Sequence, residues 1–137
     1  SAARLCFTPR TLREFLQCET SLQVMLVWLG HQWPPSADMV IVDIWRDADE
    51  EIAAGGKSGI HTVGPPYRAI DIRVTNLGGD PQVWADSLGA MVNAKYVYDP
   101  ARPMKLVAVT QPHGTGPHVH LQVCFATTLR PGVTLNV

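Results

Sequence analysis

The sequence predicts an α+β fold in which helices pack on a mainly antiparallel sheet. Two stretches with helical periodicity come first, strand-like stretches dominate the second half, and a single further helical stretch lies between strands. This order is typical of helices segregated to one side of an antiparallel sheet. A chain of 137 residues has the size of one domain, so we expect residues 1–137 to form a single unit.

The first part of the chain, about residues 8–30, predicts two helices. Thr8 is a suitable N-cap and Pro9 suits the first helical position, ahead of apolar residues at helical spacing. A second helix is expected from about Ser21, and we expect it to end at Gly30, shortly before a proline pair.

The strands are predicted from residue 39 onward. The β-branched run MVIVDIW, residues 39–45, indicates a buried strand, and the alternating stretch RAIDIRV, residues 68–74, indicates a half-buried one. The stretches KLVAVTQ and HVHLQVCF, joined by the loop PHGTGP, predict a hairpin. Between Arg46 and Arg68 the chain is polar and glycine-rich, which predicts an exposed loop with one helical turn in RDADEEIAAGG.

The remaining helix is expected in PQVWADSLGAMVNAK, residues 81–95. Its apolar side is predicted to consist of Val83, Trp84, Leu88, Met91 and Val92.

The composition excludes several classes of protein. A hydrophobic fraction of 46%, a charged fraction of 17% and a net charge of -1 argue against disorder, a nucleic-acid-binding surface and a membrane-binding face. The longest apolar run is far shorter than the roughly 20 residues of a membrane span, so we expect a soluble chain. Three cysteines without a close pair, Cys6, Cys18 and Cys124, predict free thiols.

The stretch HVH, residues 118–120, predicts a metal site on the open face of the sheet. In a strand, His118 and His120 point to one face while Val119 points to the core. The same alternation places Asp71 on the polar face, and directly opposed residues of neighbouring strands have Cβ atoms about 4.5–5.5 Å apart. The loop residue His61 is the candidate for a third ligand.

Two imidazoles and one carboxylate with an open fourth position are typical of catalytic zinc, so we expect one Zn²⁺ ion. His118, one pleat away from His120, suits a general acid or base better than a fourth ligand. The alternative is that the histidines are ordinary surface or core residues and that Asp71 pairs with Arg68 or Arg73.

The order of these motifs also resembles a known family. The stretch HTVGPPYRAIDI, followed after about forty residues by HVH and preceded by WRDADEE, is similar to the signature SxHxxGxAxD followed by HxH or ExxH. That signature belongs to the zinc D-alanyl-D-alanine carboxypeptidases and L-alanyl-D-glutamate endopeptidases of bacteria and phages. The resemblance covers residues 39–124, which would form the catalytic core.

The resemblance implies hydrolysis of a peptide bond in bacterial cell-wall peptidoglycan. His61, Asp71 and His120 would be the zinc ligands, His118 would transfer a proton, and Arg46 would bind a substrate carbonyl or carboxylate. The chain would act at the cell wall as a phage lysin, virion-associated or exported enzyme. We expect a monomer with a peptidoglycan peptide as its partner and no nucleic-acid or membrane partner.

The chain departs from the family pattern in the loop between His61 and Asp71. The insertion Pro65-Pro66-Tyr67 stretches the spacing between these two residues from seven to ten. Ser58 is one position too far from His61, where the family's serine is expected at Gly59.

The general base is the other departure. Pro117 stands three positions before His120, so the glutamate of the ExxH members is missing. His118 would then act as the base, with His113 as a possible helper; Glu50 and Glu51 are substitutes if their loop folds back.

Three alternatives stay open at this point. The chain could be a non-catalytic virion structural or wall-binding domain that keeps the peptidase fold. It could be a lysostaphin-type glycyl-glycine endopeptidase, to which TGPHVHLQV is also similar, although the HxxxD motif of that type fits His61 and Asp71 less well. It could also be a different zinc hydrolase that acts on small peptides.

Overall fold

The computed structural model describes residues 2–56, 59–111 and 116–137 and confirms an α+β fold. The helices of the described residues are α1 (Pro9–Phe15), α2 (Thr20–Gln32), α3 (Ala48–Ala53) and α4 (Pro81–Lys95), and a 3-10 turn spans Ile60–Thr62. The strands are β1 (Leu5–Cys6), β2 (Met39–Asp43), β3 (Ala69–Arg73), β4 (Tyr96–Val97), β5 (Ala108–Val109), β6 (His118–Gln122) and β7 (Thr128–Leu129).

The main sheet is largely antiparallel, as predicted. Its strand order is β1-β2-β3-β6-β5, and β1 pairs with β2 in parallel while the pairs β2–β3, β3–β6 and β6–β5 are antiparallel. Strands β4 and β7 form a separate two-stranded sheet. Among the described residues, no helix has both the length and the apolar character needed to cross a membrane.

The core lies on one face of the main sheet. Ile70 and Ile72 of β3 and Val119 and Leu121 of β6 are fully buried and join a single apolar cluster with residues of α2 and α4. Helix α4 packs on β5 and β6, and α2 packs against α4. Because side chains alternate along a strand, the neighbours of these core residues point to the opposite face, which is where the polar residues gather.

The end predicted for α2 at Gly30 is wrong. The helix continues to Gln32, and it ends because Trp33 precedes Pro34 and takes an extended conformation. Gly30 serves a different purpose: its carbonyl accepts a hydrogen bond from the Ala3 amide, and a Cβ at this position would lie 3.2 Å from the Leu5 side chain. The glycine therefore allows the N-terminal segment to approach the helix closely.

The apolar side predicted for α4 is partly wrong. The helix spans the predicted residues, but its buried side is Ala85, Leu88, Gly89 and Val92. Val83 is 60% exposed and Met91 is 37% exposed. The small residues Ala85 and Gly89 face the sheet. Their size lets the helix lie close to the end of β5, since a Cβ on Gly89 would meet the Thr110 side chain.

The four predicted strands are all shorter than expected, and β3 and β6 are limited to Ala69–Arg73 and His118–Gln122. Strand β2 ends at Asp43 because the Ile44 carbonyl and the Trp45 amide bond to side chains, those of His61 and Glu14. Strand β5 forms the expected hairpin with β6 but contains only Ala108–Val109. On the outer edge of β5, the Asn93 side chain bonds both the amide and the carbonyl of Ala108.

Candidate metal centre

The polar face of β3 and β6 presents three cross-strand pairs side by side. Asp71 lies directly opposite His120, Arg73 opposite His118, and Ala69 opposite Gln122. Both strands keep strict alternation here, so each of these residues faces away from the core. The structure thus places Asp71, His118 and His120 on one face, where strand parity predicts them.

His61 reaches this face from the 3-10 turn between α3 and β3. Its backbone carbonyl accepts a hydrogen bond from the Arg46 amide at 2.9 Å, and its ring Nδ1 lies 2.8 Å from the Ile44 carbonyl. These two contacts tie the turn to the segment that follows β2. His61 is 4% exposed, so its ring is almost completely enclosed.

The inserted residues Pro65-Pro66-Tyr67 do not displace His61, because the insertion is held elsewhere. The Tyr67 amide donates to the Gln17 carbonyl, and the Tyr67 carbonyl accepts from the Glu19 amide, at the corner between α1 and α2. Gly64 begins the detour with a φ of +114°, and a Cβ there would lie 2.6 Å from the Tyr67 ring. The extra length is therefore directed toward the helices.

Three ligand atoms converge on the polar face. His61 Nε2 is 3.2 Å from Asp71 Oδ1 and 3.3 Å from His120 Nδ1, and His120 Nδ1 is 2.8 Å from the same carboxylate oxygen. Ligands at 2.0–2.1 Å from a tetrahedral metal ion are about 3.3 Å apart. The three residues are buried and form a group that could hold a metal ion.

The hydrogen bonds around the group determine which ring nitrogens carry protons. The Ile44 carbonyl can only accept, so Nδ1 of neutral His61 donates to it and Nε2 keeps its lone pair. Gln122 donates from Nε2 to the Leu106 carbonyl, so its Oε1 faces His120 Nε2 at 3.0 Å and accepts the proton of that nitrogen. His120 Nδ1 is then the lone-pair nitrogen.

The neutral tautomers therefore point two nitrogen lone pairs and a carboxylate oxygen at one another. Such a set of acceptors is unfavourable unless a proton or a cation lies between them. Metal-binding histidines commonly donate their other ring N–H to a carbonyl or carboxyl oxygen in this way. The donor set thus fits a cation.

Gln122 is a site residue that sequence reasoning did not select. Strand parity already places position 122 on the same face as His118 and His120, so the alternation was a signal that could have found it. Gln122 is 5% exposed, and both ends of its amide are bonded.

Arg46 holds the second oxygen of the Asp71 carboxylate. Its guanidinium lies 2.8 Å from Asp71 Oδ2, 2.8 Å from Glu51 Oε1 and 3.1 Å from Asp43 Oδ2. Burial alone would lower the pKa of Arg46, but these carboxylates outweigh it and the pKa is raised. With Oδ2 held by Arg46, Asp71 keeps Oδ1 for the two histidines. The substrate-binding role expected for Arg46 stays a prediction.

The pKa shifts of Asp71 and His61 follow from their burial and from the hydrogen bonds within the group. Burial would raise the pKa of Asp71, but hydrogen bonds with His120 and His61 hold it far below its usual range. Burial would lower the pKa of His61, but its hydrogen bond with Asp71 raises it overall. Both shifts are toward the charged form of the residue.

The candidates for proton transfer differ in their positions. His118 Nδ1 is 2.8 Å from the Gly116 carbonyl, and its Nε2 is 3.7 Å from Asp71 Oδ1, so the ring faces the group. Glu51 of α3 also lines the cleft, whereas Glu50 bonds to Arg10 on the side of α1. His113 and Ser58 lie outside the described residues.

A cleft of about 680 Å³ opens above His61, Asp71 and His120. Its walls come from the end of β2, α3, the polar face of β3 and β6, and the segment before β6. The residues outside the group include Val42, Arg73, Lys105, Val109 and Pro117. The group is therefore accessible to a ligand of the size of a short peptide.

Comparisons with known protein families, with curated proteins and with solved structures find no match for this chain.

Proposed function

We propose that this chain is a zinc-dependent peptidase that hydrolyses a peptide bond in bacterial cell-wall peptidoglycan. The observation that carries the proposal is the convergence of His61 Nε2, His120 Nδ1 and Asp71 Oδ1 at the floor of an open cleft. The order of motifs in the sequence, which resembles that of zinc carboxypeptidases and endopeptidases of the cell wall, supports the substrate class.

The donor set favours zinc over other ions. Two imidazoles and a single carboxylate suit zinc, whereas Mg²⁺ and Ca²⁺ prefer sites made of oxygen ligands. Three protein ligands facing a cleft leave a position for water or substrate, which is typical of catalytic rather than structural zinc. When bound, zinc supplies a Lewis acid for the substrate carbonyl and lowers the pKa of its water toward about 7.

The other residues of the cleft have separate roles. His118 exchanges protons with the reacting groups, because its Nδ1 is held by the Gly116 carbonyl and its Nε2 is directed to the side of Asp71. Glu51 is the weaker candidate for the base, since Arg46 holds its carboxylate at 2.8 Å. Arg46 orients Asp71 by binding the carboxylate oxygen that faces away from the histidines.

The proposal is tested by digestion of purified cell walls. We expect the zinc-loaded chain to release free amino groups or D-alanine from walls, and a chelator to abolish the release. His118→Ala should keep zinc and lose turnover by about 100-fold or more, because a positioned acid or base contributes that much. His31→Ala is the matched control, since His31 is exposed on α2 and does not line the cleft.

Each other outcome contradicts the proposal in a recognisable way. Zinc binding without release from walls would indicate a wall-binding or virion structural module. Cleavage of free dipeptides but not of walls would indicate a hydrolase of small peptides. Full activity of His118→Ala would remove that residue from the mechanism.

A further inference from the structure

The cleft contains two cations that no carboxylate neutralises. Its acidic side chains are Asp43, Glu51 and Asp71, and all three pair with Arg46. In the described part of the chain, Arg73 and Lys105 take part in no ion pair. The residues outside it carry no carboxylate side chain, so they add no acidic partner.

The charge of the cleft would become positive with a metal ion in place. Three acidic and three basic side chains line it, with histidines that are neutral when they bind a metal. A divalent cation would therefore leave an excess of positive charge in a concave surface, which attracts anionic ligands. Arg73 and Lys105 are exposed and available to such a ligand.

The position of Arg73 relative to the candidate metal centre limits where an anion would lie. Arg73 follows Asp71 by two residues on the same face of β3 and lies opposite His118. Two residues of a strand span about 6.6 Å, and an extended peptide advances about 3.3–3.6 Å per residue. An anionic group on Arg73 would thus belong to a residue within about two positions of a peptide bond at the metal centre.

A carboxylate is the anion that best fits this place. The planar guanidinium of arginine binds a carboxylate through two parallel hydrogen bonds. Lys105 lies toward the opposite end of β6, where the Leu106 carbonyl accepts a hydrogen bond from Gln122, and its ammonium is 5.1 Å from the centre of the Tyr98 ring. Arg73 is therefore the cation available beside His118.

We propose that Arg73 binds a substrate carboxylate within about two residues of the bond that is cut. This inference rests on the proposed peptidase function and adds to it a specificity-determining residue, Arg73. Arg46 suits that carboxylate less well than Arg73 does, because three carboxylates of the chain already surround Arg46.

The test compares two matched pairs of peptides. One pair is an N-acetylated L-Lys-D-Ala-D-Ala as acid and as C-terminal amide. The other pair is an L-Ala-γ-D-Glu-L-Lys peptide with its D-Glu α-carboxyl group free or amidated. Binding to the zinc-loaded chain is measured by calorimetry with His118→Ala, and hydrolysis with the parent chain.

In at least one pair, we expect the acid to bind about tenfold or more tightly than the amide, because charge-assisted hydrogen bonds contribute that much. Arg73→Gln should reduce this ratio to about twofold or less while leaving binding of the amide and of zinc unchanged. Arg73→Lys should recover part of the preference, since it keeps the charge without the planar fork. Arg13→Gln, an exposed arginine of α1 away from the cleft, is the control.

The inference is overturned if Arg73→Gln keeps the acid preference, if it weakens acid and amide equally, or if the parent chain shows no preference in either pair. Preference for the acid that depends on Arg73, in a chain that hydrolyses neither peptide, would uphold carboxylate binding and contradict the peptidase function.

Discussion

At the scale of single residues, the candidate metal centre depends on hydrogen bonds and an ion pair that orient the three candidate ligands. Each of these interactions involves a ligand atom that faces away from the centre. The Ile44 carbonyl bonds to His61 Nδ1, the Gln122 amide oxygen to His120 Nε2, and the Arg46 guanidinium to Asp71 Oδ2. They determine which nitrogen or oxygen is presented to a cation. Such outer contacts commonly change metal affinity by 10–100-fold when removed.

Gln122 gives the sharpest test of this support. We expect Gln122→Ala to weaken zinc binding by about 10–100-fold, because His120 loses the acceptor that keeps its proton on Nε2. The dissociation constants are measured by competition with a chromophoric chelator.

Gln32→Ala provides the control, since Gln32 is exposed at the end of α2. Equal affinities of the Gln122→Ala variant and the parent chain would contradict the role of Gln122. A normal circular dichroism spectrum would show that any loss is not caused by unfolding.

At the scale of elements, α3 connects the first helix to the candidate metal centre. Arg10 of α1 binds both carboxylate oxygens of Glu50, at 2.7 and 3.0 Å, and the Trp45 carbonyl at 2.8 Å. The next residue of α3, Glu51, bonds to Arg46, which in turn bonds to Asp71. A short helix with no buried residue is thus held in place by ion pairs at both sides.

The attachment of α3 should depend on pH. Hydrogen bonds with Arg10 lower the pKa of Glu50 to about 2 from its ordinary value of 4.5. Because the pKa is lower in the folded than in the unfolded chain, the stabilisation is fully present above about pH 4.5 and is lost as the pH falls toward 2. Glu50→Gln should therefore lower the urea midpoint at pH 7 and have little effect near pH 2.

Asp49→Asn is the matched control for this experiment, because Asp49 lies in the same turn of α3 and forms no ion pair in the described part of the chain. Its urea midpoint should follow that of the parent chain at both pH values. A deficit of Glu50→Gln that is equally large at pH 7 and near pH 2 would contradict the contribution of the Arg10–Glu50 pair.

At the scale of the whole molecule, the features that periodicity encodes were predictable. Alternation in β3 and β6 places Ile70 and Leu121 on the core face and Asp71 and His120 on the opposite face, and neighbouring placement of the two strands then brings the polar pair together. The cap at Thr8 and the extent of α4 follow from local signals in the same way.

The features that depend on tertiary contacts were not predictable. Helix α2 continues past Gly30, whose carbonyl accepts a hydrogen bond from the N-terminal segment. Strand β2 ends early because side chains of other elements bond to the backbone that follows it. The three partners of Arg46 come from β2, α3 and β3, and no spacing rule connects them. Strands β1, β4, β5 and β7 contain two residues each, too few to show a period.

The central claim is that His61, Asp71 and His120 together bind one zinc ion, and the zinc content and affinity of the purified chain test it most directly. We predict one zinc per chain, a loss of affinity of at least about 100-fold in His61→Ala and in His120→Ala, and unchanged affinity in His118→Ala and His31→Ala. A parent chain that binds no zinc, or that keeps its affinity when His61 or His120 is replaced, would contradict the account.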